Sequence, residues 1–155
     1  MGMPKSVIKI NKDGVQYVSS VDKTEYTMLE LERAGLRDVG KFLKKIIRKL
    51  IPKDEGHARK SLATWVRKPW KGRAAFLQVG VYNKKSAVKK GLKYVSYFHI
   101  LEFGSRNQKA LRPITRGTKE NIETVRKIQA QYLGYINDEL KAKTIINEDE
   151  EVDDS

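Results

Sequence analysis

Leu36-Arg37-Asp38-Val39-Gly40-Lys41-Phe42-Leu43-Lys44-Lys45-Ile46-Ile47-Arg48-Lys49-Leu50 is the stretch on which the fold turns. Its apolar residues Leu36, Val39, Phe42, Leu43, Ile46, Ile47 and Leu50 recur at steps of three and four. That period places them on one side of an α-helix. Arg37, Asp38, Lys41, Lys44, Lys45, Arg48 and Lys49 fill the opposite arc, and Pro52 stops the run. Burying seven such side chains contributes ~10–20 kcal/mol gross before chain entropy is subtracted. An amphipathic helix of this kind needs a sheet or other helices to cover it. Its Lys-rich arc reads first as a solvated face, with nucleic acid as the alternative.

On its N-terminal side, a shorter helix is predicted from about Thr24, with Thr27 and Glu30 at capping-box spacing and Gly35 placed to end it. Before that, Val7, Ile8 and Ile10 lead into Asn11-Lys12-Asp13-Gly14, and Val15, Tyr17, Val18 and Val21 follow. Asp-Gly between β-rich runs predicts a hairpin, because glycine accepts the positive φ of the turn. On the C-terminal side, Leu62 to Val66 is β-rich, and Lys68-Pro69-Trp70-Lys71-Gly72 is a turn. Ala75, Leu77, Val79 and Val81 then alternate with Phe76, Gln78, Gly80 and Tyr82. This is a second antiparallel hairpin, expected to pack against the amphipathic helix.

Asn83 to Lys93 holds five lysines, Lys84, Lys85, Lys89, Lys90 and Lys93, among few apolar residues. A projecting loop is expected there, either a plain surface loop or a cationic finger facing phosphates or an acidic subunit. Tyr94 to Phe103 is aromatic and apolar, and its periodicity leaves a buried strand and a short helix equally open. A long last helix is predicted from near Thr118, with Ile122, Val125, Ile128, Tyr132, Ile136 and Leu140 on one stripe. Gly134 within it suggests close approach of another backbone.

The chain has 155 residues, 32 Lys and Arg against 19 Asp and Glu, and a net charge of +13. All the bases lie at or before Lys143, where 13 acids oppose them and leave +19. Six acids fall in Glu148–Asp154, a like-charged run expected to be flexible unless a basic partner holds it. The organisation read from this is an N-terminal hairpin extension (1–23), one α+β domain (24–143) and an acidic tail (144–155). So basic a surface attracts polyanions over a Debye length of about 8 Å. With no cysteine, disulfides, thiolate metal sites and cysteine nucleophiles are excluded. No run approaches the ~20 apolar residues of a membrane helix, and Met1–Lys5 does not read as a secretory signal. No membrane partner is expected.

Reactive chemistry is sparse. The histidines are His57 and His99, and His99 with Glu102 has the spacing of a helical ligand pair without further ligands near it. A polar pair at a fold corner is the expectation. Ser61 lies four residues from His57, and no nucleophile elbow, Gly-Lys-Ser/Thr phosphate loop or HExxH is present. No enzyme activity, cofactor or metal is expected. Of the aromatic residues, Trp65, Trp70 and Tyr82 are the candidates for base stacking.

Three stretches, taken in order, resemble one family. Pro52-Lys53-Asp54-Glu55-Gly56-His57-Ala58-Arg59-Lys60-Ser61-Leu62 resembles the Pro-x-Asp-Thr-Gly-x-Leu-Arg-x-Ser-Ile stretch of tailed-phage head–tail joining (tail-completion, or neck) proteins. Tyr94 to Ser105, closing on Glu102-Phe103-Gly104-Ser105, resembles that family's Tyr-Ala … Glu-Phe-Gly-Thr block. Leu111-Arg112-Pro113 resembles its Leu-Arg-Pro-Ala lead into the last helix. The likeness runs from about Leu36 to Leu140. Glu55 stands in place of the usual Thr, Ala58 of the usual Leu, and Thr115 of a small apolar residue.

The resemblance implies an α+β fold, with a curved antiparallel sheet packed against a long amphipathic helix and a long C-terminal helix. It implies a non-enzymatic virion protein, made in the host cytoplasm, that assembles as a ring, commonly a hexamer. The ring would join the portal-connector (head-completion) protein to the tail tube or tail terminator and surround the DNA without reading its sequence. Pro52, Asp54, Gly56, Ser61, Glu102, Phe103, Gly104, Leu111, Arg112 and Pro113 would then set the corners of the fold. The five loop lysines would face DNA or a neighbouring subunit. A tail-terminator ring capping the tail tube and a non-specific nucleic-acid-binding protein are the alternatives.

Overall fold

The computed structural model describes residues 8–12, 15–19, 21–53, 56–68, 74–135 and 138. The fold is α+β, in the order β1 (Ile8–Lys12), β2 (Val15–Ser19), α1 (Val21–Leu50), α2 (Gly56–Ser61), β3 (Leu62–Arg67), β4 (Phe76–Val81), α3 (Lys84–Lys89), α4 (Phe98–Phe103), α5 (Pro113–Lys119) and α6 (Ile122–Gly134). The strands form two separate two-stranded antiparallel sheets. The chain divides into two compact units, one of Met1–Gly35 with Gln129–Ser155 and the other Leu36–Ile128.

The first unit holds the N-terminal hairpin, whose strands pair from Ile8 with Ser19 to Lys12 with Val15, as the Asp-Gly signal predicts. The turn residues Asp13 and Gly14 lie outside the described residues. Here the helix reading needs correction. Gly35 does not end a helix, because α1 runs unbroken for 30 residues. A helical glycine costs only about 1 kcal/mol relative to alanine, while the buried side chains of Leu31 and Ala34 reward continuation. What Gly35 provides is room, since a Cβ there would sit 3.2 Å from the Tyr132 ring of α6.

In the second unit the core is drawn from helices, strand and loop alike. Val39, Leu43 and Ile47 of α1 and the adjoining Ile51 pack with Ala58, Leu62, Val95, Phe98, Leu101 and Val125. β3 and β4 pair from Leu62 with Val81 to Arg67 with Phe76. Leu77, Val79 and Val81 turn towards this core while Phe76 is 54% exposed, which is the alternation read from the sequence. Gly40 brings α1 close to the sheet, with Leu77 Cδ1 and Thr64 Oγ1 3.1 and 3.2 Å from where its Cβ would lie.

Two further readings change. The last helix is divided into α5 and α6, with a break at Glu120 and Asn121, and it starts at Pro113 rather than near Thr118. Proline at the first helical position needs no N–H partner, so this start is intrinsically favoured. The Asn121 side chain bonds back to the Gly117 carbonyl at 2.9 Å, closing the end of α5. Gly134 is the last residue of α6, and among the described residues nothing lies within 4 Å of where its Cβ would be, so the close packing expected there is not seen among them. Ile136 and Leu140 lie outside the described residues.

Candidate functional site

The motif stretches meet through hydrogen bonds between side chains and backbone. Tyr94–Phe103 resolves as a short helix, α4, over its second half. Glu102 is buried in its last turn, and its carboxylate accepts from the amides of Ile114 and Thr115, both at 2.9 Å, and from the Thr115 hydroxyl. An acceptor is needed there because the first amides of α5 have no partner within the helix. The preceding carbonyl, Leu101 O, accepts from Leu111 at 2.9 Å and Arg112 at 3.1 Å. Two adjacent residues of α4 thus bind four residues of the segment that opens α5.

Backbone conformation completes this clamp. Gly104 has φ +82°, and a Cβ there would lie 3.0 Å from both the Ala110 nitrogen and the Gln108 oxygen. Only glycine suits that position. Arg112 is left-handed (φ 53°, ψ 50°), the one non-glycine residue with positive φ among the described residues. The αR region is disfavoured for it by the proline that follows, and its amide is held on Leu101. Pro113 is fully buried, whereas Phe103 is 79% exposed and Leu111 is exposed at the edge of the clamp. With Tyr94 and His99, Phe103 lines an open apolar groove of about 530 Å³.

The first motif stretch joins through Ser61, which is buried and donates from Oγ to the Lys93 carbonyl at 3.1 Å. Lys93 immediately precedes the second stretch. Gly56 opens α2 with open space where a Cβ would be, and Pro52 is exposed before it. Asp54 and Glu55 fall outside the described residues.

The projecting loop is a short helix instead. Asn83 caps α3, its Oδ1 accepting from the Ser86 amide at 2.8 Å. Gly91, at φ +63°, ends it, with Leu92 N donating to Ala87 O at 2.9 Å and Gly91 N to Val88 O at 3.0 Å. That pair of bonds is a Schellman motif. Asn83 and Gly91 bracket four of the lysines in the sequence, and this cap-to-glycine spacing is the signal that marks the helix. Lys84, Lys85, Lys89, Lys90 and Lys93 are all exposed.

Three cations beyond that reading gather with Lys90. Lys90 Nζ lies 5.5 Å from the centre of the Tyr82 ring, which meets the Trp65 ring edge-on at 5.8 Å. Trp65 and Tyr82 therefore engage each other, and Trp70 lies outside the described residues. Burial, and then the charges of Arg48 and Lys90, hold the Lys44 amine below its ordinary value. Arg48 Nε donates to the Arg59 carbonyl at 3.1 Å, and Arg59 Nε to the Arg48 carbonyl at 3.0 Å. This reciprocal staple ties α1 to α2. Lys44 and Arg48 read from the sequence as part of a solvated arc, and only the fold brings Arg59 of α2 and Lys90 from the end of α3 to them.

His99 is exposed with Nδ1 2.8 Å from the Ser96 carbonyl, while Glu102 is turned inward to α5. They do not form a pair. Among the described residues, no three of His, Asp or Glu gather as a metal site, and no helix is long and apolar enough to cross a membrane. Comparison of the chain with protein-family models, curated proteins and solved structures found no match to any of the three.

Proposed function

We propose that this protein is a structural component of a phage virion. In this reading it forms a ring at the head–tail interface, joins the portal-connector to the tail, and surrounds the DNA channel. The observation that carries the reading is the bonding between the motif stretches. Glu102 holds the start of α5 next to Pro113, and Ser61 holds the chain at Lys93. Residues that the resemblance picks out as fold corners thus have corner-forming work to do in this chain. The exposed lysines of α3 supply a charged surface for a ring whose lumen carries phosphates, since backbone contacts need no base sequence. Exposed Phe103 and Tyr94 supply apolar surface for a neighbouring copy, because a ring requires each subunit to present two different faces.

The test is localisation. Particles assembled with an epitope on this chain are expected to carry label at the neck, and particles assembled without the chain are expected to be filled heads lacking attached tails. Purified protein is expected to form rings when connector is added. Spontaneous rings that halt tail-tube growth would assign the chain to the tail terminator instead, and virions free of the chain would refute a structural role.

A further inference from the structure

The reciprocal staple leaves an unusual arrangement of charge. With each Nε bonded to the other residue's carbonyl, the terminal nitrogens of Arg48 and Arg59 make no hydrogen bond to any described residue. Among the described residues, no carboxylate lies within ion-pair distance of Lys44, Arg48, Arg59 or Lys90. Half-buried Lys44 lies one turn from Arg48 on α1, Arg48 is tied to Arg59 of α2, and the charge of Lys90 at the end of α3 reaches Lys44, so four cations come together with no described carboxylate among them. A protein keeps such a cluster at a cost to its stability, which a bound anion offsets.

We propose that Lys44, Arg48, Arg59 and Lys90 form a binding site for the phosphate backbone of duplex DNA. Guanidinium groups already fixed by their Nε bonds present planar forks that match phosphate oxygens, and less freedom is lost on binding. Duplex DNA carries one charge per ~1.7 Å of its axis with both strands counted, and this stiff polyanion presents several phosphates to a cluster of cations at once. The site names the ligand of the cationic face that the neck reading leaves open between DNA and a neighbouring subunit. It rests on that reading only for the source of the DNA.

The experiment uses the purified full chain and a short fluorescent duplex of mixed sequence, with binding followed by anisotropy between about 50 and 200 mM salt. Lys44→Gln with Lys90→Gln removes two of the four charges and leaves the arginine staple intact. This variant is expected to lower the slope of log K against log salt by about 1.8 and to weaken binding near 0.1 M salt roughly 50-fold. Lys119→Gln with Lys127→Gln removes the same charge from exposed positions on α5 and α6 and is expected to leave the slope unchanged. Equal losses in the two variants, an unchanged slope in the first, or no binding by the unaltered chain would overturn the site. So would tighter binding to a peptide of residues 144–155, which carries six acidic side chains, than to the duplex at the same salt. These outcomes are independent of where the chain sits in a particle, so the site and the neck reading can fail separately.

Discussion

Glu102 concentrates more of the architecture than any other described side chain, because one buried carboxylate satisfies two amides and a hydroxyl of α5. Glu102→Ala is expected to lower unfolding free energy by about 2–4 kcal/mol, with Glu102→Gln losing about half of that, in urea titrations. Gly117 is a second point of contact, since a Cβ there would fall 2.7 Å from Cγ1 of Ile47 in the core. Gly117→Ala is expected to cost about 1–3 kcal/mol. Combined with Ile47→Ala it should cost less than the two single changes added, because the cavity takes up the methyl group. Lys44 makes a prediction of opposite sign. Its amine is held below the ordinary 10.5 first by burial and then by Arg48 and Lys90. The unfolded chain therefore keeps more protons than the folded one between the lowered value and 10.5, and stability rises with pH across that window. Lys44→Met is expected to raise the thermal midpoint at neutral pH, with the gain shrinking as the pH approaches 10.5.

Helix α1 shows how an element outweighs its own punctuation. Taken alone, Gly35 reads as a stop, yet it has no positive φ and the helix passes through it. Gly35→Pro is expected to cost about 3 kcal/mol or more, since proline removes a helical hydrogen bond and clashes with the preceding turn. A position in a loop between two helices would tolerate it, so a small loss in urea titrations would contradict the continuous helix. α3 is the reverse case, a segment whose lysine content suggests a loop but whose Asn83 and Gly91 define both ends of a helix. Composition describes what a segment exposes, and capping residues describe what its backbone does. The second decides here, because unpaired amides and carbonyls at helix ends must find partners.

For the whole molecule, the same lysines separate stability from assembly. Neutralising Lys84, Lys85, Lys89, Lys90 and Lys93 together removes exposed charge in and beside a helix whose buried contact is Ala87. The unfolding midpoint is expected to stay nearly constant, while the yield of infectious particles falls under the proposed function. Normal yield from that variant would show that the finger is not used. Phe103 belongs to the same logic, because a large apolar side chain 79% exposed contributes little to folding, and under the proposed function it serves the contact with a neighbouring copy.

The amphipathic period of Leu36–Leu50, both hairpins and the α+β class were legible in the sequence, because periodicity and turn chemistry are local properties. The sequence also contained Glu102, Pro113 and the five lysines as marked residues. Their partners were not legible, since Glu102 finds α5 only across a turn built on Gly104 and the left-handed Arg112. Nor was the four-cation cluster, whose members lie at positions 44, 48, 59 and 90 and come from α1, α2 and the end of α3. No spacing along the chain encodes that meeting. A shared apolar core draws Ala58 of α2 against α1, the Arg48–Arg59 bonds hold their charged sides together, and Lys90 reaches Lys44 from the end of α3.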